Sequence, residues 1–284
     1  MNNIDLHTHS VFSDGSEIPA VLVEEAVGAE LSAVALTDHD TVAGLRDFQL
    51  SARAFPGLEA INGVEISTSY GQCELHITGL FINPDDEFLL EFLAGMRRER
   101  IQRAKLMSAR LAALGYPVDI PGLDGDGSKP VGRPHFARYI AEHYRFASIA
   151  DVFNVLLKRG CPGYVARKLP PPEAAIEAIH HAGGCAVWAH PIPGSRSEHS
   201  WVNRMCAKLS AMNLDGVEAW YTTFSPQQTE MVRMVAARHR LLCAGGSDYH
   251  GTNQPEIRVG TGHGGLRVPE EILEPLRLRA QSWR

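Results

Sequence analysis

The chain has 284 residues, of which 44% are apolar and 21% charged, and its formal net charge is −6. This length suits one large α/β domain or a domain with an insertion, and the acidic balance argues against tight non-specific binding to duplex nucleic acid. No apolar run is long enough for a membrane span, the N-terminal MNNIDLHTHS lacks a signal-peptide pattern, and the five scattered cysteines predict reduced thiols, so we expect a cytoplasmic protein.

The first third of the chain alternates apolar runs with helical patterns. Strands are predicted at Ile4–His7, Ala33–Thr37, Ala60–Ile66 and Leu75–Phe81, and helices at Pro19–Ala29 and Thr41–Ala54. Pro19 suits the first turn of a helix. Because alternating strands and helices pair in parallel through crossovers, this pattern predicts an α/β fold.

A mostly helical block then interrupts the alternation. Helices are predicted at Asp85–Leu114, Pro134–His143 and Ala150–Arg159, with a loop rich in Gly, Pro and Asp over Tyr116–Pro134. Gly115 is placed to end the first of these helices. Ser148, followed three residues later by Asp151, is placed to cap the last one.

The alternation resumes after the proline run at 170–172. Helices are predicted at Glu173–His181, Trp201–Ala211 and Pro226–His239, and strands at Cys185–Ala189, Gly216–Trp220 and Leu241–Gly245. Ser225 and Gln228 form a capping-box pattern around Pro226. We therefore expect a distorted (β/α)7 barrel formed by residues 1–99 and 169–284, with a helical insertion domain at 100–168 that serves as a lid or substrate domain.

Potential metal ligands follow the apolar runs. They are His7, His9 and Asp14 after the first run, His39 after the second, Glu65 and His76 on the next two, His190 after the Cys185 run, and Asp248 and His250 after the last. In a (β/α) barrel such strand ends share one face, where active sites lie. Six histidines and three carboxylates would therefore converge there.

The spacing of these residues has a physical meaning. Residues i and i+2 of a strand point to the same side, so His7 and His9 can hold one ion together, as can Asp248 and His250. Imidazole and carboxylate ligands suit Zn²⁺, Mn²⁺ or Fe²⁺. The alternative, a histidine that only caps a loop, would have to apply separately at six strand ends.

The ordered segments DLHTHSVFSDG, ALTDHDT, GVEIS, AHP and GGSDYH resemble the motifs of the PHP family, named for polymerase and histidinol phosphatase domains. These segments span residues 5–250. The segment GRPHFARYI at Gly132–Ile140 resembles the insertion of small bacterial PHP phosphoesterases that act on nucleoside 3′,5′-bisphosphates and, in some members, on the 5′ ends of short RNA or DNA.

The resemblance implies three metal positions. The first resembles His7, His9, Glu65 and Asp248; the second resembles Glu65, His76 and His190, with Glu65 bridging; the third resembles Asp14, His39 and His250. Two or three divalent ions are expected, Mn²⁺ first, with Zn²⁺, Fe²⁺ or Mg²⁺ as alternatives. A hydroxide held between two ions would attack phosphorus, so no side chain is expected as the nucleophile. Ser247 matches no serine nucleophile motif, and Asp38 and Asp40 are interpreted as groups that orient ligands or cap the next helix.

Substrate contacts are expected at Arg133 and His135, in the segment that resembles the family's phosphate-binding segment, and at Arg167. The alternatives are a solvent-exposed Arg133 and a His135 that only opens a helix. Arg97, Arg98, Arg100 and Arg103 are interpreted as a solvated helix face, with contact to phosphate or nucleic acid as the alternative. The aromatic candidates for base stacking, with a place in the core as the alternative, are Tyr164, Phe136, Trp220 and Tyr221.

The resemblance implies a phosphatase that removes the 3′-phosphate of a nucleoside 3′,5′-bisphosphate, such as 3′-phosphoadenosine 5′-phosphate. The alternatives are a 5′–3′ exonuclease on short RNA or DNA, a histidinol phosphatase, and a metal-dependent amidohydrolase; the last is disfavoured because no barrel-strand end carries a lysine. We expect a small nucleotide or a short oligonucleotide as the binding partner and no obligate protein partner.

Overall fold

A computed structural model describes residues 3–120, 131–192 and 198–284. The chain divides into two compact units, Met1–Phe92 with Pro170–Arg284, and Leu93–Leu169. Part of the predicted loop at Tyr116–Pro134 lies outside the described residues. No helix among the described residues is both long enough and apolar enough to cross a membrane.

The first unit contains one sheet that curls into a nearly closed barrel, and its described part has eight strands. They are β1 (Asn3–Asp5), β2 (Leu31–Leu36), β3 (Glu59–Tyr70), β4 (Cys73–Leu80), β5 (Cys185–Trp188), β6 (Gly216–Tyr221), β7 (Leu242–Gly246) and β8 (Val268–Pro269). Their order is β7-β6-β5-β4-β3-β2-β1-β8. The expected α/β barrel is confirmed, with one short strand more than predicted.

The strand β4 departs from uniform parallel pairing. It pairs antiparallel with both β3 and β5, whereas β1–β2, β2–β3, β5–β6 and β6–β7 are parallel. The β3–β4 connection is a tight turn at Gly71, whose φ of 63° suits glycine. Because β4 runs the other way, its first residues lie at the barrel end where the parallel strands finish, and this brings His76 to the same end.

The helices of the described residues are α1 (Pro19–Gly28), α2 (Leu45–Ala52), α3 (Glu87–Ala113), α4 (Arg133–His143), α5 (Ile149–Val152), α6 (Pro172–His181), α7 (Glu198–Ser210), α8 (Pro226–Arg238) and α9 (Leu273–Gln281). The predicted capping box is confirmed, because the Ser225 side chain accepts from the Gln228 N–H and Gln228 accepts from the Ser225 N–H. Ser148 caps α5 as predicted. The single helix predicted at Ala150–Arg159 is wrong in part, since α5 is one turn that continues as a π-helical turn, Phe153–Leu157.

The strand β8 and the helix α9 were not predicted from the sequence. The helix α9 buries Leu273, Leu276 and Ala280 in the same apolar cluster as Ile4 of β1. Beyond its end, Trp283 stacks on His180 and donates to Asp215, a buried carboxylate that also accepts from His180. The C-terminal segment thus completes the barrel core at the Asp215 end of β6.

The second unit has its own core, which explains why this segment forms a separate compact body. Ala104, Met107 and Leu111 of α3 pack with Phe136, Ala137 and Ile140 of α4 and with Val152, Leu156 and Leu157. The α4 residues lie at i, i+1 and i+4, so they form one apolar stripe.

The barrel closes where β1 approaches β7. Leu6 N–H donates to Gly245 O at 3.1 Å, and a Cβ added at Gly246 would overlap Cβ and N of His7. Glycine at 246 is therefore a requirement of this close approach rather than of its backbone angles.

We predict that Gly246→Ala lowers the free energy of unfolding by about 1–3 kcal/mol, because the new methyl group forces β1 and β7 apart. Gly28→Ala is the matched control: nothing lies within 4 Å of its added Cβ, and alanine in a helix is favoured by about 0.5–1 kcal/mol. Urea titrations of both variants would check this. Equal stabilities for the two would contradict a tight β1–β7 closure.

Candidate metal centre

The Glu65 carboxylate lies at the centre of the predicted ligand set and is fully buried. Its Oε2 lies 3.2 Å from His7 Nε2, 3.3 Å from His9 Nε2 and 3.0 Å from His39 Nδ1. Its Oε1 lies 3.0 Å from both His76 Nδ1 and His190 Nε2. Five imidazoles from four segments of the barrel therefore face one carboxylate.

The remaining predicted ligands extend this cluster on two sides. Asp248 Oδ1 lies 3.1 Å from His9 Nε2 and 3.5 Å from His7 Nε2. Asp14 Oδ1 lies 3.2 Å from His250 Nε2. The structure thus brings all nine predicted residues into one site.

Three overlapping groups in this site have ligand atoms close enough to share an ion. They are His7, His9 and Asp248; His39, Glu65 and His76; and His9, Asp14, His39 and His250. His9 and His39 each belong to two groups. The family resemblance had implied one metal position for each. Both rings have two nitrogens, and their two sides face different neighbours.

The donor atoms of this site are largely without hydrogen bonds. Among the described residues, eight buried side-chain nitrogen or oxygen atoms make none, and five of them are His7 Nε2, both ring nitrogens of His9, His39 Nδ1 and Glu65 Oε2. Buried polar atoms normally have a partner. Five such atoms facing one another fit a site whose partner is a cation.

Thr8 sets the direction of the two histidines that flank it. Its hydroxyl donates to Ala35 O at 2.6 Å, and its N–H donates to Thr37 Oγ1 at 3.2 Å. Because neighbouring residues of an extended chain point to opposite sides, fixing Thr8 against β2 turns His7 and His9 inward.

Asp38 and Asp40 hold backbone segments around the site. Asp38 accepts from the N–H and hydroxyl of Ser10 and from the Ser13 hydroxyl, which ties down the segment between His9 and Asp14. Asp40, in a left-handed conformation with φ of 55°, accepts from Ser67 N–H. These contacts fix the backbone on both sides of His39.

The protonation of the histidines and of the carboxylates in the site depends on their neighbours. Burial alone would lower the pKa of His9 and of His76, yet the neighbouring carboxylates raise them to about 9 and about 10. Burial would likewise raise the pKa of Glu65, but His39, His7 and His76 hold it well below its usual value. The site therefore favours positive charge, and divalent ions would displace its protons.

Two residues of β6 contact the ligands and were not predicted to do so. Glu218 Oε1 lies 3.0 Å from His7 Nδ1, and the Tyr221 hydroxyl donates to Asp248 Oδ2 at 2.8 Å. From the sequence, Tyr221 was expected only to stack on a base or to lie in the core. A charged residue inside the apolar run GVEAWY was the available signal for Glu218.

The predicted substrate contacts Arg133, His135 and Arg167 all belong to the second unit. Arg133 lies 5.9 Å above the Tyr164 ring at the start of α4. Burial, with Arg133 and Arg167 nearby, lowers the pKa of Arg103 to about 10. Arg103 is half-buried and donates to Val165 O at 2.8 Å.

Imidazoles and carboxylates gather at one end of a (β/α) barrel, and several of their nitrogen and oxygen atoms make no hydrogen bond. This arrangement is typical of a metal-dependent hydrolase. The PHP domain model matches residues 5–111. The chain is 38% identical to the 5′-3′ exoribonuclease Rnm of Escherichia coli over 249 residues, 87% of this chain and 84% of that protein. It is 34% identical to a 3′,5′-nucleoside bisphosphate phosphatase of Chromobacterium violaceum over 262 residues, 92% of this chain and 91% of that one.

The chain belongs to the PHP domain family and is a metal-dependent phosphoesterase. Two solved structures agree in fold over 98% of this chain and 96% of theirs. One is assigned as a metal-dependent phosphoesterase from Bifidobacterium adolescentis, with a TM-score of 0.76 and 29% identity. The other is an amidohydrolase from Chromobacterium violaceum with bound sulfate, with a TM-score of 0.75 and 32% identity.

We predict that Glu65→Gln lowers the Mn²⁺ content of the purified protein by about one ion per chain, because a neutral amide is a poorer metal ligand than a charged carboxylate. Elemental analysis after dialysis would measure this. His143→Gln is the control, since His143 contacts Tyr139 on α4 within the second unit. Equal metal content in Glu65→Gln and the wild type would contradict a central role for Glu65.

Proposed function

We propose that the protein removes the 3′-phosphate from nucleoside 3′,5′-bisphosphates, yielding a nucleoside 5′-monophosphate and phosphate. The observation that carries the proposal is the convergence of five histidine side chains on the buried Glu65 carboxylate. A phosphate monoester is the dianion that such a cation-rich site attracts.

We assign the metal ligands as the family motifs suggest. His7, His9, Glu65 and Asp248 hold one ion; Glu65, His76 and His190 hold the second; Asp14, His39 and His250 hold the third. We propose Mn²⁺ as the native ion, since it is one of the cations that imidazole and carboxylate ligands suit, with Zn²⁺, Fe²⁺ or Mg²⁺ as alternatives. When bound, divalent ions make water a nucleophile at neutral pH and neutralise charge on the phosphoryl oxygens.

The named relatives support a nucleotide substrate. The Chromobacterium violaceum phosphatase acts on nucleoside bisphosphates by name, and the Escherichia coli relative is an exoribonuclease. We propose a cytoplasmic location for this chemistry, and the five cysteines, all free thiols, are consistent with a reducing compartment.

The second unit offers a way to recognise a second phosphate. The pKa of Arg103 is lowered to about 10, mainly by burial and further by the like charges of Arg133 and Arg167. A bound anion would relieve this repulsion, and guanidinium groups bind phosphate in a bidentate manner. We propose that Arg133 and Arg167 contact the 5′-phosphate.

His135 can take part in the same recognition. Its Nδ1 accepts from Gly132 N–H at 3.1 Å, and burial lowers its pKa. A neutral ring that accepts at Nδ1 carries its proton on Nε2. We propose that this Nε2–H donates to a phosphate oxygen, so His135 both opens α4 and binds substrate.

The substrate is tested by phosphate release from 3′-phosphoadenosine 5′-phosphate, beside a 5′-phosphorylated RNA pentamer and histidinol phosphate, all with Mn²⁺-loaded protein. We expect kcat/KM to be highest for the bisphosphate, because only this small substrate offers a second phosphate to the arginines. Faster cleavage of the pentamer would make exonuclease action the main activity. This second function is favoured by the 38% identity to the exoribonuclease.

We predict that Arg133→Ala raises KM for the bisphosphate by about 10- to 100-fold, the value of a lost charge-assisted hydrogen bond. Hydrolysis of p-nitrophenyl phosphate, which lacks a second phosphate, should change little. Lys105→Ala is the control, since Lys105 is an exposed cation of α3 in the same unit. A proportionate loss on both substrates would contradict recognition of a second phosphate by Arg133.

A further inference from the structure

The strand β6 supplies none of the nine residues of the metal centre, whereas β1 to β5 and β7 each supply at least one on the strand or directly after it. It nevertheless places two side chains against them. Glu218 contacts His7 and Tyr221 contacts Asp248. These two ligands belong to the same group of the centre, with His9.

An irregularity in β6 explains how both side chains reach the centre. Glu218 pairs with Ala244 and Trp220 with Gly245, so β6 has one residue more than β7 between these two pairs. Between the two side chains, the Trp220 ring lies 5.4 Å from the Arg233 guanidinium of α8. An extra residue changes the in–out alternation of a strand, so Glu218 and Tyr221, three residues apart, both face inward.

Glu218 makes two contacts with its two oxygens. Oε1 lies 3.0 Å from His7 Nδ1, and Oε2 accepts from His190 N–H at 2.6 Å. The side chain is almost fully buried, with 4% of its surface exposed. A carboxylate at Nδ1 keeps the proton on that nitrogen, which leaves the His7 Nε2 lone pair directed at Glu65 and Asp248.

Tyr221 acts on the other ligand in a similar way. Its hydroxyl donates to Asp248 Oδ2, while Oδ1 faces His9 Nε2 at 3.1 Å. The backbone of Asp248 has a φ of 57°, an uncommon conformation for a residue other than glycine. A hydrogen bond to one oxygen fixes the carboxylate plane and leaves the other oxygen for the centre.

We propose that Glu218 and Tyr221 are positioning residues, which set the affinity of the His7–His9–Asp248 group for a divalent ion and do not touch the phosphate. This inference rests on the metal centre of the proposed function. The two residues select the nitrogen of His7 and the oxygen of Asp248 that face the ion. Their loss should therefore weaken metal binding before it affects the chemistry.

The first test is calorimetric titration of the chelator-treated protein with Mn²⁺ alone. Glu218→Gln keeps the shape but has one oxygen for two contacts, so either His7 or His190 N–H loses its acceptor. Tyr221→Phe removes one hydroxyl. We expect the Kd of the tightest affected site to rise about 10- to 100-fold in each variant.

Two controls change the same groups elsewhere in the first unit. Glu59→Gln removes a carboxylate paired with Arg277, and Tyr70→Phe removes the hydroxyl that accepts from Lys208. Both should bind Mn²⁺ like the wild type. If Glu218→Gln does not fold, judged by circular dichroism, Tyr221→Phe decides, because it removes only one oxygen atom from a half-buried side chain.

The second test separates positioning from catalysis. With Mn²⁺ raised above the variant's Kd, kcat and KM of Tyr221→Phe should return to near the wild-type values. An unchanged Kd for Mn²⁺ with a lowered kcat at saturating metal would overturn the inference while leaving the proposed function intact. If the wild type itself binds no Mn²⁺, the proposed function and this inference both fail.

Discussion

A carboxylate removed from water costs several kcal/mol unless opposite charge or strong hydrogen bonds compensate for it. Glu65 is such a group: it is fully buried, and the compensation comes from five imidazoles carried on four separate segments. The buried charge is therefore compensated only if all four segments end close to Glu65. The pKa values of His9 and His76 are raised, so these histidines carry positive charge at neutral pH, and bound divalent ions would supply that charge instead.

Other buried carboxylates make that alignment possible by accepting from backbone N–H groups. Asp5 accepts from the N–H groups of His7, Ser247 and Gly260, which joins the ends of β1 and β7 to a third segment. Asp38 holds the Ser10–Ser13 segment. Where the strands separate, backbone N–H groups lose their partners in the sheet, and a carboxylate that accepts from several of them replaces those hydrogen bonds. The segments that carry the metal ligands are thus fixed without regular sheet pairing.

The relatives of this chain share most of its length but differ in their named substrates. Relatives that share most of its length act by name on RNA, on nucleoside bisphosphates and on a phosphoribosyl cyclic phosphate. All three reactions break a phosphate ester, which a common centre around Glu65 can serve.

The sequence by itself determined the α/β alternation, the capping box at Ser225, and the pairing of His7 with His9, because each depends on residues close in the chain or on the period of a strand. It did not show that β4 runs antiparallel to β3 and β5. A strand has a similar apolar run whether a tight turn or a crossover connects it to the strand before it. Nor did the sequence show Glu218 and Tyr221. Their inward direction depends on one extra residue in the pairing of β6 with β7, and their partners lie more than 20 residues away along the chain. Contacts between segments distant in sequence are decided by how the barrel closes, and only the tertiary structure contains that information.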